Sequence, residues 1–140
     1  MVPADDGASP APIDRAVLER MRSRFIGSRQ IESAEIVDEQ KVYLRVTLSD
    51  EYYPNEVLAR LEIRWYRNDD FTMHYQENRK DEAWNCRWDR HPNAHNTRDH
   101  FHPPPMASQS DADDAQWPAD HRDMCRLVLD FLEERIETVW

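Results

Sequence analysis

Three stretches in the middle of the chain alternate apolar and polar side chains with a period of two residues. They cover residues 42–48, 59–65 and 71–75. This period is typical of strands that bury one face and expose the other. Residues 31–37 and 84–88 are predicted as flanking strands. The connections are too short for the crossover helices that parallel pairing needs, so the pattern predicts an antiparallel meander of about five strands.

Two other segments carry apolar residues at helical spacing. In the first, Ile13, Val17, Met21 and Phe25 recur every four residues, and Gly27 follows where a left-handed cap would end a helix. The second reaches the C-terminus, and its apolar positions are Met124, Leu127, Val128, Phe131, Leu132, Ile136 and Val139. Together the segments predict an α+β fold, with an N-terminal and a C-terminal helix packed on one face of the sheet.

The domain organisation follows from composition. Residues 1–12 are rich in Pro, Ala and Asp, which predicts a disordered lead, and residues 13–140 are predicted to form a single α+β domain. The sequence shows neither the basic and apolar regions of a signal peptide nor an apolar run long enough for a membrane span. We therefore expect a cytoplasmic protein that makes no membrane contact. Cys86 and Cys125 form no CxxC motif and are interpreted as buried thiols.

The chain is strongly acidic. Asp and Glu total 28 against 18 Lys and Arg, which gives a net charge of −10, and only Lys41 and Lys80 are lysines. An acidic surface in which Arg replaces Lys suits a salt-rich, halophilic cytoplasm, where screening weakens like-charge repulsion. The alternative interpretation is a cationic partner. Neither excludes a nucleic-acid substrate, because an acidic protein can carry a local cationic patch.

Residues 84–102 are the segment best equipped for chemistry. They contain four of the six histidines, with Arg87, Arg90, Arg98, Asp89 and Asp99 among them. The segment lies between a predicted strand and the predicted polar loop 103–117, and such surface segments on a rigid scaffold commonly carry function. Three interpretations of this segment stay open.

The first interpretation is metal binding. The candidate ligands are spaced H-x3-H-x4-H-x-H, and they are His91, His95, His100 and His102. Imidazoles with one carboxylate suit divalent zinc, nickel, manganese or iron. His100 and His102 are two residues apart, so in an extended chain both point to the same side. The spacing matches no standard structural zinc pattern.

The second interpretation is acid–base cleavage of RNA. Attack by the 2′-hydroxyl needs a base, an acid and a cation for the developing charge. His95 and His102 are the candidate pair, and Arg87 or Arg98 is the candidate cation. Asp89 or Asp99 would orient an imidazole through its other nitrogen.

The third interpretation is structural or partner-binding: the histidines are polar residues that pin a loop by hydrogen bonds. Similar alternatives apply elsewhere. His74 lies on a polar strand face and is interpreted as a solvated residue. Four arginines either form a cationic platform on that face or make ordinary salt bridges with Glu62; they are Arg45, Arg60, Arg64 and Arg67.

The segment also resembles a known family. Trp88-Asp89, Pro92-Asn93-Ala94-His95 and His100-Phe101-His102-Pro103 are similar to a motif of the TumE-like toxins of type II toxin–antitoxin pairs, with Trp88 where tyrosine is usual. Members of that family are small α+β proteins with a strand meander before the motif. The resemblance implies a cognate antitoxin, usually a helix-turn-helix protein from the neighbouring gene, and interference with RNA or translation.

These observations lead to one hypothesis and two rivals. The hypothesis is a toxin-like protein that acts on or binds RNA through residues 89–102. The first rival is a non-enzymatic metal- or partner-binding module that uses the same histidines. The second is an interaction protein that forms a homodimer through an exposed strand edge.

Overall fold

A computed structural model describes residues 9–80, 82–92, 97–108 and 110–140. Most of the predicted lead, residues 1–8, lies outside them. Two helices are described, α1 (Arg15–Ile26) and α2 (His121–Val139). The strands are β1 (Ile31–Asp38), β2 (Val42–Leu48), β3 (Leu58–Trp65), β4 (Phe71–Asn78), β5 (Ala83–Arg90), β6 (Asp99–His102) and β7 (Asp113–Asp114). A short 3-10 turn, Asp50–Tyr52, follows β2.

The strands form one open antiparallel sheet in which the spatial order is the chain order, β1 to β7. The meander is confirmed, but the prediction of about five strands is wrong, because the described residues form a sheet of seven strands. The additional strands are β6 in the histidine segment and β7 in the predicted polar loop. β6 has four residues and β7 has two. Strands this short carry too few alternations to produce a periodic signal.

One face of the sheet packs against both helices. The alternating residues on this face are buried, including Leu44, Ile63, Met73 and Trp88, which follow one another across β2 to β5. α1 packs against β1, β2 and β3, and Phe131 of α2 contacts Trp88 edge to face. The prediction of two helices on one face is therefore confirmed. No helix in the described ranges is long and apolar enough to cross a membrane.

Both helices begin at an aspartate. Asp14 accepts a hydrogen bond from the Val17 amide at 3.2 Å, and Asp120 accepts one from the Arg122 amide at 2.8 Å. α1 ends differently from the prediction. Gly27 has φ −70° instead of a left-handed conformation, and the Ser28 amide donates to the Phe25 carbonyl at 2.9 Å. A tightened last turn therefore satisfies this carbonyl without a positive φ.

The opposite side of the sheet, which we call the polar face, carries a row of polar residues in register. The row runs from β2 to β6 through Arg45, Glu62, His74, Arg87 and His102, each paired with the next. A second, shorter row places Asp89 between Thr72 of β4 and His100 of β6. Because side chains alternate along a strand, this register brings the histidine segment and the middle of the sheet to the same surface.

Candidate functional site

Asp89 is the centre of a buried polar cluster on the polar face. Its side chain is 0% exposed. Thr72 Oγ1 donates to Asp89 Oδ1 at 2.6 Å, and Arg87 Nε donates to Asp89 Oδ2 at 2.8 Å. Arg87 is two residues before Asp89 on β5, so both side chains leave the strand on the same side. Thr72 and Arg87 thus donate one hydrogen bond to each oxygen of the carboxylate.

Three imidazoles surround Asp89 Oδ2. The Nε2 atoms of His91, His100 and His102 lie 3.4, 3.6 and 3.1 Å from this oxygen, respectively. All three residues are buried. Arg87 Nη2 also lies 3.1 Å from His102 Nε2. We refer to Thr72, Arg87, Asp89, His91, His100 and His102 as the Asp89 cluster.

Backbone carbonyls orient all three rings. His91 Nδ1 lies 3.0 Å from the Pro92 carbonyl oxygen, and His102 Nδ1 lies 2.9 Å from that of Ser108. His100 Nδ1 lies 3.1 Å from the carbonyl oxygens of both Thr97 and Arg98. Since a carbonyl only accepts, each Nδ1 carries the proton and donates it. Each Nε2 is thereby turned towards Asp89.

The cluster favours an ionised carboxylate. Burial alone would raise the pKa of Asp89, but hydrogen bonds from His100, His102 and His91 and the charge of Arg87 hold it well below its usual range. For His91, burial is the largest effect and would lower the pKa, but the hydrogen bonds to Asp89 and to the Pro92 carbonyl and the charge of Asp89 together raise it. The buried negative charge therefore attracts positive charge onto the surrounding groups.

A cleft of about 230 Å³ opens beside the cluster on the polar face. Its lining contains three cationic side chains, Lys41, Arg64 and Arg87, and one carboxylate, Glu62. The charge of the lining is therefore positive, whereas the net charge of the whole chain is negative. Burial and the nearby Arg87 lower the pKa of His74, which keeps the ring neutral at pH 7. The lining residues are Lys41, Tyr43, Glu62, Arg64, Thr72, His74 and Arg87. Thr72 and Arg87 belong to both the cleft and the Asp89 cluster.

Comparison with known families decides what kind of protein carries this site. A family model described as the toxin TumE matches residues 14–136, which include both rows of the polar face and nearly all of α2. The chain belongs to the TumE toxin family. No curated protein matches the chain, and no solved structure does. The resemblance inferred from the motif is confirmed, and membership gives the chain a toxin-like role.

The structure brings together most of the candidate site residues of this TumE-family chain. Arg87, Asp89, His91, His100 and His102 all meet in the Asp89 cluster. His100 and His102 lie on one side of an extended strand, as predicted from their spacing. His95, a candidate both for acid–base chemistry and for metal binding, lies outside the described residues.

Two alternative candidates lie elsewhere. Asp99 sits on the helix-covered face, where Arg90 Nε donates to it at 2.7 Å, and Arg98 pairs with Asp70. Neither Asp99 nor Arg98 therefore belongs to the Asp89 cluster, in which the carboxylate is that of Asp89 and the guanidinium is that of Arg87.

The sequence interpretation missed several residues of the cleft. Lys41 precedes β2, and Thr72 and His74 lie on β4, far along the chain from the histidine segment. The alternation along β4 could have indicated them. Thr72 and His74 alternate with the buried residues Phe71, Met73 and Tyr75, so their side chains lie on the face opposite the helices. Of the four arginines considered for a cationic platform, Arg45, Arg60 and Arg64 lie on this face, whereas Arg67 follows the end of β3.

Proposed function

We propose that this chain is the toxin of a toxin–antitoxin pair and that it binds and acts on RNA at the cleft beside the Asp89 cluster. The observation that carries the proposal is the cationic lining of that cleft, formed by Lys41, Arg64 and Arg87 on an otherwise acidic protein. A phosphate backbone is attracted by such a local field even when the net charge of the protein is negative.

The cleft offers more than charge to a nucleic acid. Tyr43 supplies an aromatic ring on which a base can stack, and its hydroxyl accepts a hydrogen bond from Arg45 Nη2 at 2.8 Å. His74 adds a half-buried neutral imidazole that can accept a proton from a 2′-hydroxyl. The combination suits single-stranded RNA, whose bases are free to stack.

The Asp89 cluster has a different role in this proposal. His102 and Asp89 are fully buried, so they position Arg87 and do not themselves contact a substrate. Arg87, with its side chain 13% exposed, joins the cluster to the cleft. A reaction that uses His95 with His102, as the sequence suggested, is the alternative to this positioning role, and it stays a prediction because His95 lies outside the described residues.

Growth and RNA-binding assays test the proposal. Induced expression of the chain alone in a bacterial host should arrest growth. Co-expression of a cognate antitoxin, which the family resemblance implies is a helix-turn-helix protein from the neighbouring gene, should restore growth. Purified chain should bind a fluorescent single-stranded RNA. Lys41→Ala and Arg64→Ala should each weaken binding and reduce the slope of log K against log salt by about one.

The helix side of the molecule provides a matched control. Arg24 and Arg126 line a larger cleft of about 470 Å³ between the helices. Arg24→Ala and Arg126→Ala should therefore leave RNA binding and growth arrest unchanged. Equal losses from both sets of variants would reject the polar face as the binding site, and growth arrest without RNA binding would reject RNA as the target.

His74→Ala separates cleavage from binding. If the His74 imidazole accepts the proton in cleavage, the variant should bind RNA with wild-type affinity and lose cleavage of a labelled transcript. If RNA is bound and left intact by the wild-type chain, the toxin acts by sequestering RNA and the cleavage part of the proposal is rejected.

A further inference from the structure

We propose that Asp89, His100 and His102 form a binding site for one divalent transition-metal ion, with His91 beside them as a further ligand. One ligand atom from each of the three side chains lies within 4.8 Å of the other two, and all three side chains are buried. His91 Nε2 lies 3.4 Å from the same carboxylate oxygen. Imidazole nitrogens with one carboxylate oxygen suit zinc and its first-row neighbours.

The distances are close to those of a coordination sphere. Zinc binds imidazole nitrogen and carboxylate oxygen at about 2.0–2.1 Å, so two ligand atoms of a tetrahedral site lie about 3.4 Å apart. The observed separations of Asp89 Oδ2 from the three Nε2 atoms are 3.1–3.6 Å. An ion between the carboxylate and the rings therefore needs shifts of the side chains smaller than a rotamer change.

The orientation of the rings supports the same conclusion. In each of the three histidines, Nδ1 donates to a backbone carbonyl and Nε2 faces the carboxylate. Metal-binding histidines in proteins are oriented in this way, with the nitrogen that does not bind the metal donating to a carbonyl or carboxylate. With Nδ1 donating to a carbonyl, a ring can meet the carboxylate through Nε2 either as the N–H donor of a charged imidazolium or as a ligand of a shared cation. Either protons on the rings or one shared cation stabilises that arrangement.

Arg87 is the competitor for this position. Its guanidinium contacts both Asp89 Oδ2, at 2.8 Å, and His102 Nε2, at 3.1 Å. A metal ion bound to the same atoms replaces these hydrogen bonds and repels the guanidinium. Arg87 also lines the cleft, so the ion has a route from solvent past this side chain. Metal binding and the position of Arg87 are thus coupled.

The test uses full-length chain purified without a histidine tag and treated with a chelator. A calorimetric titration with Zn²⁺ alone should show that the chain binds one equivalent of the ion. Co²⁺ should give visible d–d bands without a thiolate charge-transfer band, because Cys86 and Cys125 do not belong to the site. The thermal midpoint should rise with Zn²⁺, because an ion bound only by the folded state stabilises it.

Variants assign the ligands. His100→Ala and His102→Ala should each weaken Zn²⁺ binding at least about a hundredfold. His121→Ala, which removes a histidine outside both the cluster and the cleft, should bind like the wild type. Arg87→Met should bind Zn²⁺ about tenfold more tightly, because it removes the competing cation.

Three results would overturn the proposal: no stoichiometric metal in the wild-type chain, binding that survives His100→Ala with His102→Ala, or binding that leaves the thermal midpoint unchanged. The first would mean that protons alone stabilise the cluster. If the alanine variants do not fold, the wild-type Co²⁺ spectrum decides. No RNA is present in this experiment, so its outcome is independent of the proposed toxin activity.

Discussion

Arg135 of α2 forms a bidentate ion pair with the buried Glu77 of β4. Arg135 Nε donates to Glu77 Oε2 at 2.6 Å, and Nη2 donates to Oε1 at 2.8 Å. The Tyr75 hydroxyl donates to the same carboxylate at 2.6 Å. Glu77 is 0% exposed, and the guanidinium of Arg135 lies 3.4 Å from the centre of the Trp84 ring. The pair joins the C-terminal helix to the centre of the sheet.

Arg135→Met should destabilise the fold strongly, because Glu77 would be left as a buried charge without its partner. The free energy of unfolding, measured by urea denaturation, should fall by about 3–5 kcal/mol. Arg15→Met is the matched control. Arg15 pairs with Asp38 on the surface, where both side chains are more than half exposed, and the expected loss is less than about 1 kcal/mol.

The double variant Glu77→Leu with Arg135→Met gives the complementary test. It removes both charges, so most of the lost stability should return. A double variant as unstable as Arg135→Met would mean that Arg135 stabilises the fold by packing on Trp84 and not by pairing with Glu77.

Sequence periodicity predicted the parts of the fold that are long enough to repeat. β2, β3 and β4 alternate over seven or eight residues, and both helices keep one apolar stripe. β6 and β7 were missed because they are too short to show an alternating pattern. They are strands because they pair with a neighbouring strand. β6 is a strand because its four residues, Asp99–His102, pair with residues 87–90 of β5.

The site was predictable in composition but not in arrangement. The sequence placed Asp89, His91, His100 and His102 in one segment, yet it did not distinguish Asp89 from Asp99 as the orienting carboxylate. Register makes that distinction: Asp99 pairs with Arg90, on the face that the helices cover. Thr72 could not be assigned to the site from its neighbours in the sequence, because it is the register of the β4–β5 pairing that sets Thr72 opposite Asp89.

The substitution Thr72→Val, which replaces one hydroxyl by a methyl group, should destabilise the fold. Thr72 Oγ1 donates to the buried Asp89 Oδ1 at 2.6 Å, and valine has the same shape without the donor. The free energy of unfolding should fall by about 1–3 kcal/mol, because the buried carboxylate oxygen loses its partner. Thr47→Val on the polar side of β2 is the control, and it should have little effect. Equal losses would attribute the effect to β-sheet packing instead of to Asp89.

Both thiols should be unreactive in the folded protein. Cys86 and Cys125 are buried, and burial raises the pKa of Cys125 to about 12 and raises the pKa of Cys86 as well. The thiolate is the reactive form, so the folded chain at pH 8 should react with a disulfide reagent about a thousandfold more slowly than the unfolded chain. Stopped-flow absorbance with and without denaturant measures both rates. A rapid phase for one thiol in the folded chain would contradict the buried position of that residue.

His121 should make the fold less stable in mild acid. The ring packs edge-on against Trp65, with centroids 6.2 Å apart, and burial lowers its pKa. Asp120 opposes this shift, whereas Arg122, Arg20 and Arg24 reinforce it. Above the unfolded pKa of about 6.5, both states hold a neutral ring and the contribution of His121 to stability is complete.

Below that pH the unfolded chain binds the proton more readily than the folded chain does, so stability is lost as the pH falls towards the lower pKa of the folded state. His121→Gln lacks this titration. Urea denaturation at pH 7.5 and pH 5.5 should therefore show a smaller loss of stability in His121→Gln than in the wild type, while the histidines of the Asp89 cluster contribute equally to both proteins. Identical losses would mean that the His121 pKa is the same in the folded and unfolded chains, and the contact with Trp65 would then have no electrostatic consequence.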